Sequence, residues 1–340
     1  MNTDMYQNIL SAIKTCNSDI TIMELCGSHT AAISKSGLRD SLPKNIRLIP
    51  GPGCPVCVTG GGYIDAALRL SGDNIITTFG DLVRVPGKSG ENLLKNGNIK
   101  IVYSPLDAVE IARSTNSEVV FLAIGFETTA PVISVAVEKA ITENVKNFSI
   151  LTSMKTMPKA FRWLTENTSV TRYLLPGHVC AVSGVKDYEE IAKEKNIAGT
   201  VSGFSPVEVG MAVLGLLKTN RGTVDNFYKT VVRADGNQLA MKLIHKYFTE
   251  YDAFWRGIGY IEGSGLRLKE EYRNFDAEFK FGIKIKDSLE DADRCGCGKV
   301  LIGEMEPKGC PYFGKKCTPL TPVGPCMVSS EGACRIFMDF

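Results

Sequence analysis

The stretch VVFLAIGFETTAPVISVAVEKAITEN, residues 119–144, contains a complete strand–turn–helix sequence. Its first part, VVFLAIGF, is an apolar run without alternation, which is typical of a strand covered on both faces. The last part, APVISVAVEKAITEN, carries apolar residues at helical spacing, and the turn GFETTAP joins the two. Because a doubly covered strand needs parallel neighbours and helices on both sides, this stretch predicts an α/β fold.

The same alternation extends over the first two-thirds of the chain. Short apolar runs bounded by Gly, Pro, Asn or Ser predict further strands at 20–25, 46–50, 74–79, 99–103, 148–153, 172–176 and 199–204. Helical spacing predicts helices between them at 61–71, 106–114, 187–195 and 206–218. One large sheet is an alternative, but two smaller parallel-sheet βα domains around a cleft fit the length better.

The pattern changes after residue 220. Residues 237–248 predict a helix, whereas WRGIGYIEGSGLRLK, residues 255–269, is Gly-rich and predicts irregular structure. From residue 291 the chain carries Gly, Pro and Cys with little periodicity, and such a segment needs a metal to order it. We therefore predict α/β domains at 1–117 and 118–220, followed by a helical to irregular metal-binding domain at 221–340.

The composition argues against several classes of protein. The chain has 340 residues and a formal charge of +2, so the charge balance points neither to nucleic acid nor to a membrane surface. The start, MNTDMYQNILSAIKTC, lacks the basic and apolar regions of a signal peptide. No apolar run reaches the roughly 18–20 residues that span a bilayer, and we expect a cytoplasmic protein.

Cysteine is the most informative residue type. There are 11 cysteines, and six of them fall between Cys295 and Cys334. In a reducing compartment, this clustering indicates metal or redox chemistry rather than a disulfide framework.

The cysteine-rich tail predicts a thiolate metal site. Thiolates without a nearby histidine suit a soft metal, either a [4Fe–4S] cluster or a tetrahedral zinc, and the spacing alone does not decide between them. Cys295 is an alternative first ligand, and Cys326 lies inside the last interval. The predicted ligands are Cys297, Cys310, Cys317 and Cys334.

GPGCPVC, residues 51–57, follows a predicted strand and precedes a predicted helix. This position puts Cys54 and Cys57 near a helix N-terminus, where the positive end of the helix dipole favours the thiolate. The pair fits a redox dithiol or half of a metal site.

ELCGSHT, residues 24–30, lies at the end of another predicted strand. Cys26 and His29 occupy a turn of the kind where open α/β sheets hold their ligands. Cys26 is a candidate nucleophile with His29 as its base, or a third soft ligand beside Cys54 and Cys57. His29 equally fits a hydrogen-bonding role at the start of the helix.

Two later turns carry candidate acid–base groups. GFETTAP, residues 125–131, places Glu127 after the strongest predicted strand, and LPGHVC, residues 175–180, places His178 and Cys180 after another. Glu127 and His178 are candidates to line the cleft as acid and base. Cys180 is an extra ligand or a small packed residue.

These motifs resemble the HypD family of hydrogenase maturation factors. ELCGSHT, GPGCPVC, GFETTAP, PGHV and the tail pattern CGCG…CPYFGKKCTP…GPCMVSSEGAC stand in the order typical of that family. The similarity runs from about residue 20 to Cys334. Cys180 departs from the family pattern, which has a small hydroxyl residue at that position.

The resemblance implies a scaffold for assembly of the Fe(CN)2CO unit of [NiFe] hydrogenases, with redox activity rather than conventional turnover. It implies that Cys26, Cys54 and Cys57 hold or redox-couple to the nascent iron, and that the four tail thiolates hold a [4Fe–4S] cluster. The implied fold is two α/β domains around a cleft plus a C-terminal iron–sulfur domain. The implied partners are a small HypC-type chaperone, a HypE-type cyanide donor and, indirectly, the hydrogenase large subunit.

Two other functions remain open on the residues alone. In a thiol–disulfide oxidoreductase, the Cys54–Cys57 pair would cycle and the tail metal would be structural. In a zinc protein that serves interactions, the tail would bind a partner. The absence of a basic stripe with interleaved aromatics counts against nucleic acid as that partner.

Overall fold

The computed structural model describes residues 2–95, 97–289 and 295–340. Within these ranges the chain forms two β-sheets, of five and six strands, with helices packed between and around them. The predicted α/β class with two mostly parallel sheets is confirmed. No helix in the described ranges is long and apolar enough to cross a bilayer.

The first sheet has the strand order β2-β1-β7-β8-β9, and all of its pairings are parallel. The second has the order β10-β11-β6-β5-β3-β4, in which β11 is antiparallel to both β10 and β6. In chain order the strands are β1 (Ile20–Glu24), β2 (Ile46–Pro50), β3 (Ile75–Thr78), β4 (Ile99–Ile101), β5 (Val119–Gly125), β6 (Phe148–Lys155), β7 (Arg172–Leu175), β8 (Ala198–Val201), β9 (Thr223–Asn226), β10 (Phe248–Trp255) and β11 (Gly259–Leu268).

Several helices begin at recognisable caps. Ser104 and Ser205 each accept a backbone N–H with their hydroxyl oxygen, and a proline follows each of them at the first helical position. The helices are α1 (Asn2–Ile13), α2 (Gly27–Lys35), α3 (Leu38–Ser41), α4 (Gly61–Leu70), α5 (Pro105–Arg113), α6 (Ala130–Thr142), α7 (Met157–Asn167), α8 (Gly177–Ser183), α9 (Lys186–Lys195), α10 (Pro206–Lys218), α11 (Gln238–Tyr247), α12 (Ala277–Lys280), α13 (Cys297–Leu301) and α14 (Ala333–Asp339).

Strand β5 is buried on both faces, as its apolar run predicts. Val120 and Leu122 belong to a large apolar cluster that also contains Met23 and Leu175 of the first sheet. Phe121, on the opposite face, belongs to a second cluster with residues of α5 and α6. The two sheets therefore share one continuous apolar core, and the outer helices cover the far side of the second sheet.

Helix α4 fixes the position of the CPVC turn, residues 54–57, which precedes it. Tyr63 in its first turn is fully buried, and its hydroxyl donates to the Leu151 carbonyl oxygen of β6 at 2.7 Å. The Asp287 carboxylate accepts the Gly62 N–H at 2.7 Å, at the positive end of the helix. The turn after β2 of the first sheet is thereby attached to the second sheet.

The structure differs from the sequence prediction after residue 220. The predicted helix at 237–248 is present as α11, but a hairpin, β10–β11, stands where irregular structure is predicted, and that prediction is wrong. The physical reason is close packing. A Cβ on Gly265 would lie 2.4 Å from the Tyr251 ring, so the strand needs a glycine at this position. That glycine interrupts the alternation of apolar and polar residues by which a strand is recognised in a sequence.

Neither sheet is continuous in sequence. The chain completes β1 and β2, crosses to the second sheet for β3–β6, returns for β7–β9 and crosses again for β10–β11. Each sheet thus combines segments from both sides of residue 117. The division into 1–117, 118–220 and 221–340 stays a prediction about folding units.

We expect Arg39→Gln to destabilise the fold. Glu24, at the end of β1, is fully buried, and its carboxylate accepts a 2.7 Å hydrogen bond from the Arg39 guanidinium. Because removing the cation leaves a buried carboxylate unpaired, the free energy of unfolding should fall by about 3–5 kcal/mol, measured by urea denaturation.

The matched control is Arg113→Gln. Arg113 pairs with Glu110 at 3.2 Å, and about half of each side chain is exposed. The loss should stay under about 1 kcal/mol, since exposed ion pairs contribute little. Equal losses in the two variants would contradict the importance assigned to the buried pair.

Candidate metal and thiol centre

Cys26 and the CPVC turn lie side by side at one edge of the first sheet. β1 and β2 are parallel neighbours in register, so the turns that follow them meet. The Gly27 N–H donates to the Gly53 carbonyl oxygen at 3.2 Å. A Cβ on Gly53 would lie 2.5 Å from the Cys26 Cα, so this approach requires glycine.

The backbone of the CPVC turn folds back toward the sulfur of its first cysteine, Cys54. The Cys57 N–H lies 3.1 Å from the Cys54 carbonyl oxygen and 3.2 Å from the Cys54 Sγ. Helix α4 begins only at Gly61, and burial raises the pKa of Cys57 well above its ordinary value. The prediction that a helix dipole favours the thiolate is therefore wrong for Cys57 in this thiol form.

The cysteine-rich tail reaches the CPVC turn through Cys326. The thiols of Cys57 and Cys326 lie close enough to affect each other's pKa, and those of Cys326 and Cys297 do so in turn. Cys334 is a further neighbour of Cys297, whose sulfur lies 2.8 Å from the sulfur of Cys295. These five residues form a continuous thiol row that joins the tail to the turn after β2.

Cys310 and Cys317 flank the thiol row. The Cys317 Sγ accepts the Val323 N–H at 3.3 Å, the kind of hydrogen bond that tunes cluster sulfurs. A Cβ on Gly296 would lie 3.2 Å from the Cys310 Sγ. A Cβ on Gly324 would lie 2.4 Å from the nearest tail sulfur, so glycine at this position leaves room for the thiols.

The donor set fits a soft metal in its chemistry. All six tail cysteines are free thiols, and thiolates without histidine suit iron–sulfur clusters and zinc. Within residues 2–95, 97–289 and 295–340, no three His, Cys, Asp or Glu side chains are grouped as ligands of one ion. The structure therefore gathers the predicted tail ligands in one region without arranging them around a metal, and the same holds for Cys26, Cys54 and Cys57.

The tail loop, residues 326–334, covers Cys26. Cys26 is the N-cap of α2, and the neighbouring Ser28 hydroxyl donates to the Glu331 carboxylate at 2.7 Å. Burial and, second, the Glu331 carboxylate raise the pKa of Cys26 to about 11, although backbone N–H groups of His29 and Ser28 lower it. Cys26 is thus a protonated thiol at neutral pH.

The tail loop also contacts the second sheet. The Ser329 hydroxyl donates to the Asp81 carboxylate at 3.0 Å, in the turn that follows β3. The loop therefore spans the edges of both sheets, above the turns that carry Cys26 and the CPVC pair.

His29 and His178 stack on opposite sides of one aromatic ring. Their ring centroids lie 4.5 and 3.9 Å from that of Phe204. The Nε2 of His29 lies 3.1 Å from the Gly203 carbonyl oxygen and 3.3 Å from that of Ser202. Burial lowers the pKa of His29 to about 4. These contacts favour the hydrogen-bonding interpretation of His29 over a role as base for Cys26.

The predicted acid–base groups Glu127 and His178 lie in different surroundings. The His178 side chain is exposed, and partial desolvation lowers its pKa while the nearby Glu331 carboxylate opposes that effect. Glu127 is buried, its Oε1 accepts the Met157 N–H at 2.8 Å, and burial raises its pKa to about 7. The cavity that Glu127 lines contains none of the described cysteines. Glu127 nevertheless lies near one thiol, because after burial its carboxylate is the next cause that raises the pKa of Cys180.

The whole chain matches one protein family. The family model for HypD, described as the Hydrogenase formation hypA family, covers residues 2–340. The chain belongs to the HypD family. It is 42% identical over 331 residues to the hydrogenase maturation factor HypD2 of Bradyrhizobium diazoefficiens, a match that covers 92% of this chain and 87% of the relative.

Other HypD relatives are similar over nearly the same span. The chain is 39% identical over 342 residues to the hydrogenase maturation factor HypD of Rhodobacter capsulatus. It is also 39% identical over 338 residues to HypD of Escherichia coli, and both matches cover 96% of this chain and 90% of the relative. The resemblance seen in the motifs is confirmed, and the chain is a HypD-family hydrogenase maturation factor.

Sequence reasoning about this HypD-family chain missed part of the centre. It left Cys326 without a role, and it did not single out Glu331 or Ser329. All three lie within CMVSSEGAC, which stands out in the sequence for its cysteines. The polar residues between those cysteines were the available signal, because an acid and serines between two cysteines of a predicted metal site are candidates to contact that site.

We expect His29 to lower the free energy of unfolding at acidic pH. Its pKa is about 4 in the folded chain and 6.5 ordinarily, so the unfolded chain binds the extra proton between these values. Stability should therefore fall as the pH drops from about 6.5 toward 4, by roughly 3 kcal/mol at the end of that window. Urea denaturation at a series of pH values measures the slope, which should be smaller in His29→Gln.

The control for this slope is His245→Gln, which changes an exposed ring on α11. The wild-type slope should persist in that variant. Identical slopes in His29→Gln and the wild type would show that His29 does not carry the effect.

Proposed function

We propose that the chain is a scaffold on which the Fe(CN)2CO unit of [NiFe] hydrogenases is assembled. The iron is cargo, and we assign its binding to the thiols of Cys26, Cys54 and Cys57. Three soft thiolates suit iron and leave positions open for diatomic ligands. The observation that supports this assignment best is the backbone hydrogen bond from Gly27 to Gly53, which holds the two cysteine-bearing turns together.

We further propose that the tail holds a [4Fe–4S] cluster. The sequence predicts Cys297 as its first ligand, with Cys295 as the alternative. Within the thiol row Cys297 is the member next to Cys326, whereas Cys295 and Cys334 lie beyond it, so we propose Cys295 in place of Cys297. When bound, such a cluster supplies single electrons. The other proposed ligands are Cys310, Cys317 and Cys334.

The thiol row offers a path from the tail to the iron-binding turns. Oxidation of the Cys297 and Cys326 thiols to a disulfide releases two electrons and two protons. In thiol–disulfide exchange with Cys54 and Cys57, one pair is oxidised as the other is reduced, so sulfur bonds and electrons balance. The proximity of the Cys57 and Cys326 thiols supports this route.

Acid–base groups stand beside the proposed cargo site. Cys26 must lose a proton to bind iron, and the Glu331 carboxylate acts on it electrostatically and accepts the Ser28 hydroxyl beside it. We assign proton acceptance there to Glu331, with His178 as its neighbour. Glu127 stays a predicted acid–base group.

Assembly requires partners that the chain itself does not supply. Cyanide needs a donor, for which we propose a HypE-type protein, and the finished iron unit needs a carrier, for which we propose a small HypC-type chaperone. The hydrogenase large subunit is then an indirect partner. Membership of a family of hydrogenase maturation factors supports these assignments.

A second candidate function is thiol–disulfide oxidation and reduction with a structural metal in the tail. The contact between Cys57 and Cys326 favours it, because two dithiols in contact can exchange. The two functions differ at Cys26, which the oxidoreductase does not need.

We expect Cys57→Ala to abolish iron loading and to keep the tail cluster. The variant and the wild type are purified without oxygen together with the HypC-type partner. Infrared bands of metal-bound cyanide and carbon monoxide should appear in the wild type and be absent in Cys57→Ala, because the iron loses a ligand. Cys26→Ala should behave in the same way.

Cys16→Ala is the matched control for these variants, since Cys16 lies at the end of α1 outside both groups of thiols. It should retain the infrared bands. Bands that persist in Cys57→Ala would refute the cargo site, and bands lost in Cys57→Ala but kept in Cys26→Ala would favour the oxidoreductase.

We expect variants of the tail cysteines to distinguish the cluster ligands from the thiols that pass electrons to the CPVC pair. Anaerobic wild-type protein should contain about four iron and four sulfide per chain. Cys295→Ser should lose this content, as should Cys317→Ser. Cys297→Ser should keep the content but fail to reduce the CPVC pair. A colourless wild-type protein containing zinc would refute the iron–sulfur proposal.

A further inference from the structure

A cavity of about 410 Å³, whose lining includes none of the described cysteines, lies between α7, α9, α11 and the β10–β11 hairpin. Glu127 and Thr156, which follow β5 and β6, belong to its lining. The volume is sufficient for a small organic molecule. The lining contains both polar and apolar side chains, so the cavity can fix the orientation of a ligand.

Two oxygen atoms of this lining lack hydrogen-bond partners among the described residues. They are the Oε2 of Glu127 and the Oγ1 of Thr156, and both atoms are buried. Glu127 is only 3% exposed, and its Oε1 already accepts the Met157 N–H. Because an unpartnered buried carboxylate oxygen is costly, this site is suited to a hydrogen-bond donor from outside the chain.

The charges around the cavity favour a cation. The two ions on its rim, Lys159 and Glu250, face each other at 3.7 Å and offset one another. The remaining carboxylates are Glu127 and Asp187, and His245 on α11 is the remaining basic side chain of the lining. Burial raises the pKa of Glu127 to about 7, and Asp187 adds to that effect, which shows a carboxylate without a compensating cation.

Part of the cavity wall is apolar. This part is formed by side chains of α11, β10 and β11, namely Met241, Ile244, Phe248 and Leu266. A ligand that places a charged donor on Glu127 would therefore lay an aliphatic part against this wall. Burial of such a part adds affinity in proportion to the apolar area removed from water.

We propose that this cavity binds a small organic cation, a guanidinium or primary ammonium with a short aliphatic chain, whose N–H groups donate to Glu127 and Thr156. The ligand lies outside the thiol row and the turn that carries Cys26, so the proposal goes beyond the assembly function and stands independently of it. The cation offsets the buried carboxylate, while the aliphatic chain covers the wall of α11 and the hairpin.

Calorimetric titration of the full chain with n-butylguanidinium, at about pH 8 so that Glu127 is ionised, tests the proposal. Saturable binding with one site per chain is expected, and n-butanol, which lacks the charge, should not saturate. Glu127→Gln keeps an oxygen for the Met157 N–H and removes the charge. It should weaken binding by about tenfold or more.

Two further variants keep the test decisive. Glu190→Gln removes an exposed carboxylate of α9 outside the cavity and should bind as the wild type does. Met241→Trp fills the apolar wall without changing charge and should abolish binding even if Glu127→Gln does not fold. The proposal is overturned if the wild type shows no saturable binding, or if a folded Glu127→Gln or Met241→Trp binds with wild-type affinity.

Discussion

The contact between Cys57 and Cys326 is the interaction on which the arrangement of the centre depends. It brings a turn at the edge of the first sheet next to the tail, whose Leu301 and Met327 pack into the main apolar core. The tail loop gains two further attachments, from Ser28 to Glu331 and from Ser329 to Asp81. Neighbouring thiols, polar hydrogen bonds and burial of apolar side chains such as Val300 and Ile336 thus together fix the tail against the two sheets.

Burial gives these thiols a common character. The pKa values of Cys26, Cys57 and Cys326 are all raised, so each is a protonated, weakly nucleophilic thiol in the metal-free chain. A metal ion reverses this preference, because it replaces the proton and supplies the positive charge that burial denies the thiolate. The iron binding proposed for these thiols would therefore exchange their protons for the metal.

Local patterns predicted the α/β architecture well, and tertiary contacts explain what they missed. Runs such as VVFLAIGF can be recognised as strands because a strand that is covered on both faces must be apolar throughout. The β10–β11 hairpin could not be recognised in this way, because the glycine at position 265 is required by the neighbouring Tyr251 ring and does not follow strand periodicity. In the centre, spacing indicated the cysteines, whereas the role of Cys326 depends on a partner far away in sequence, which no local pattern encodes.

The repeated crossing of the chain between its sheets has a consequence for biosynthesis. Strand β1 lies between β2 and β7, so its second neighbour becomes available only after Leu175 has left the ribosome. Until then the nascent polypeptide exposes an apolar strand edge, and the second sheet likewise waits for β11. Neither sheet can be completed until its last strands have been synthesised, so each keeps an open strand edge during much of translation, when pairing with another chain is a hazard.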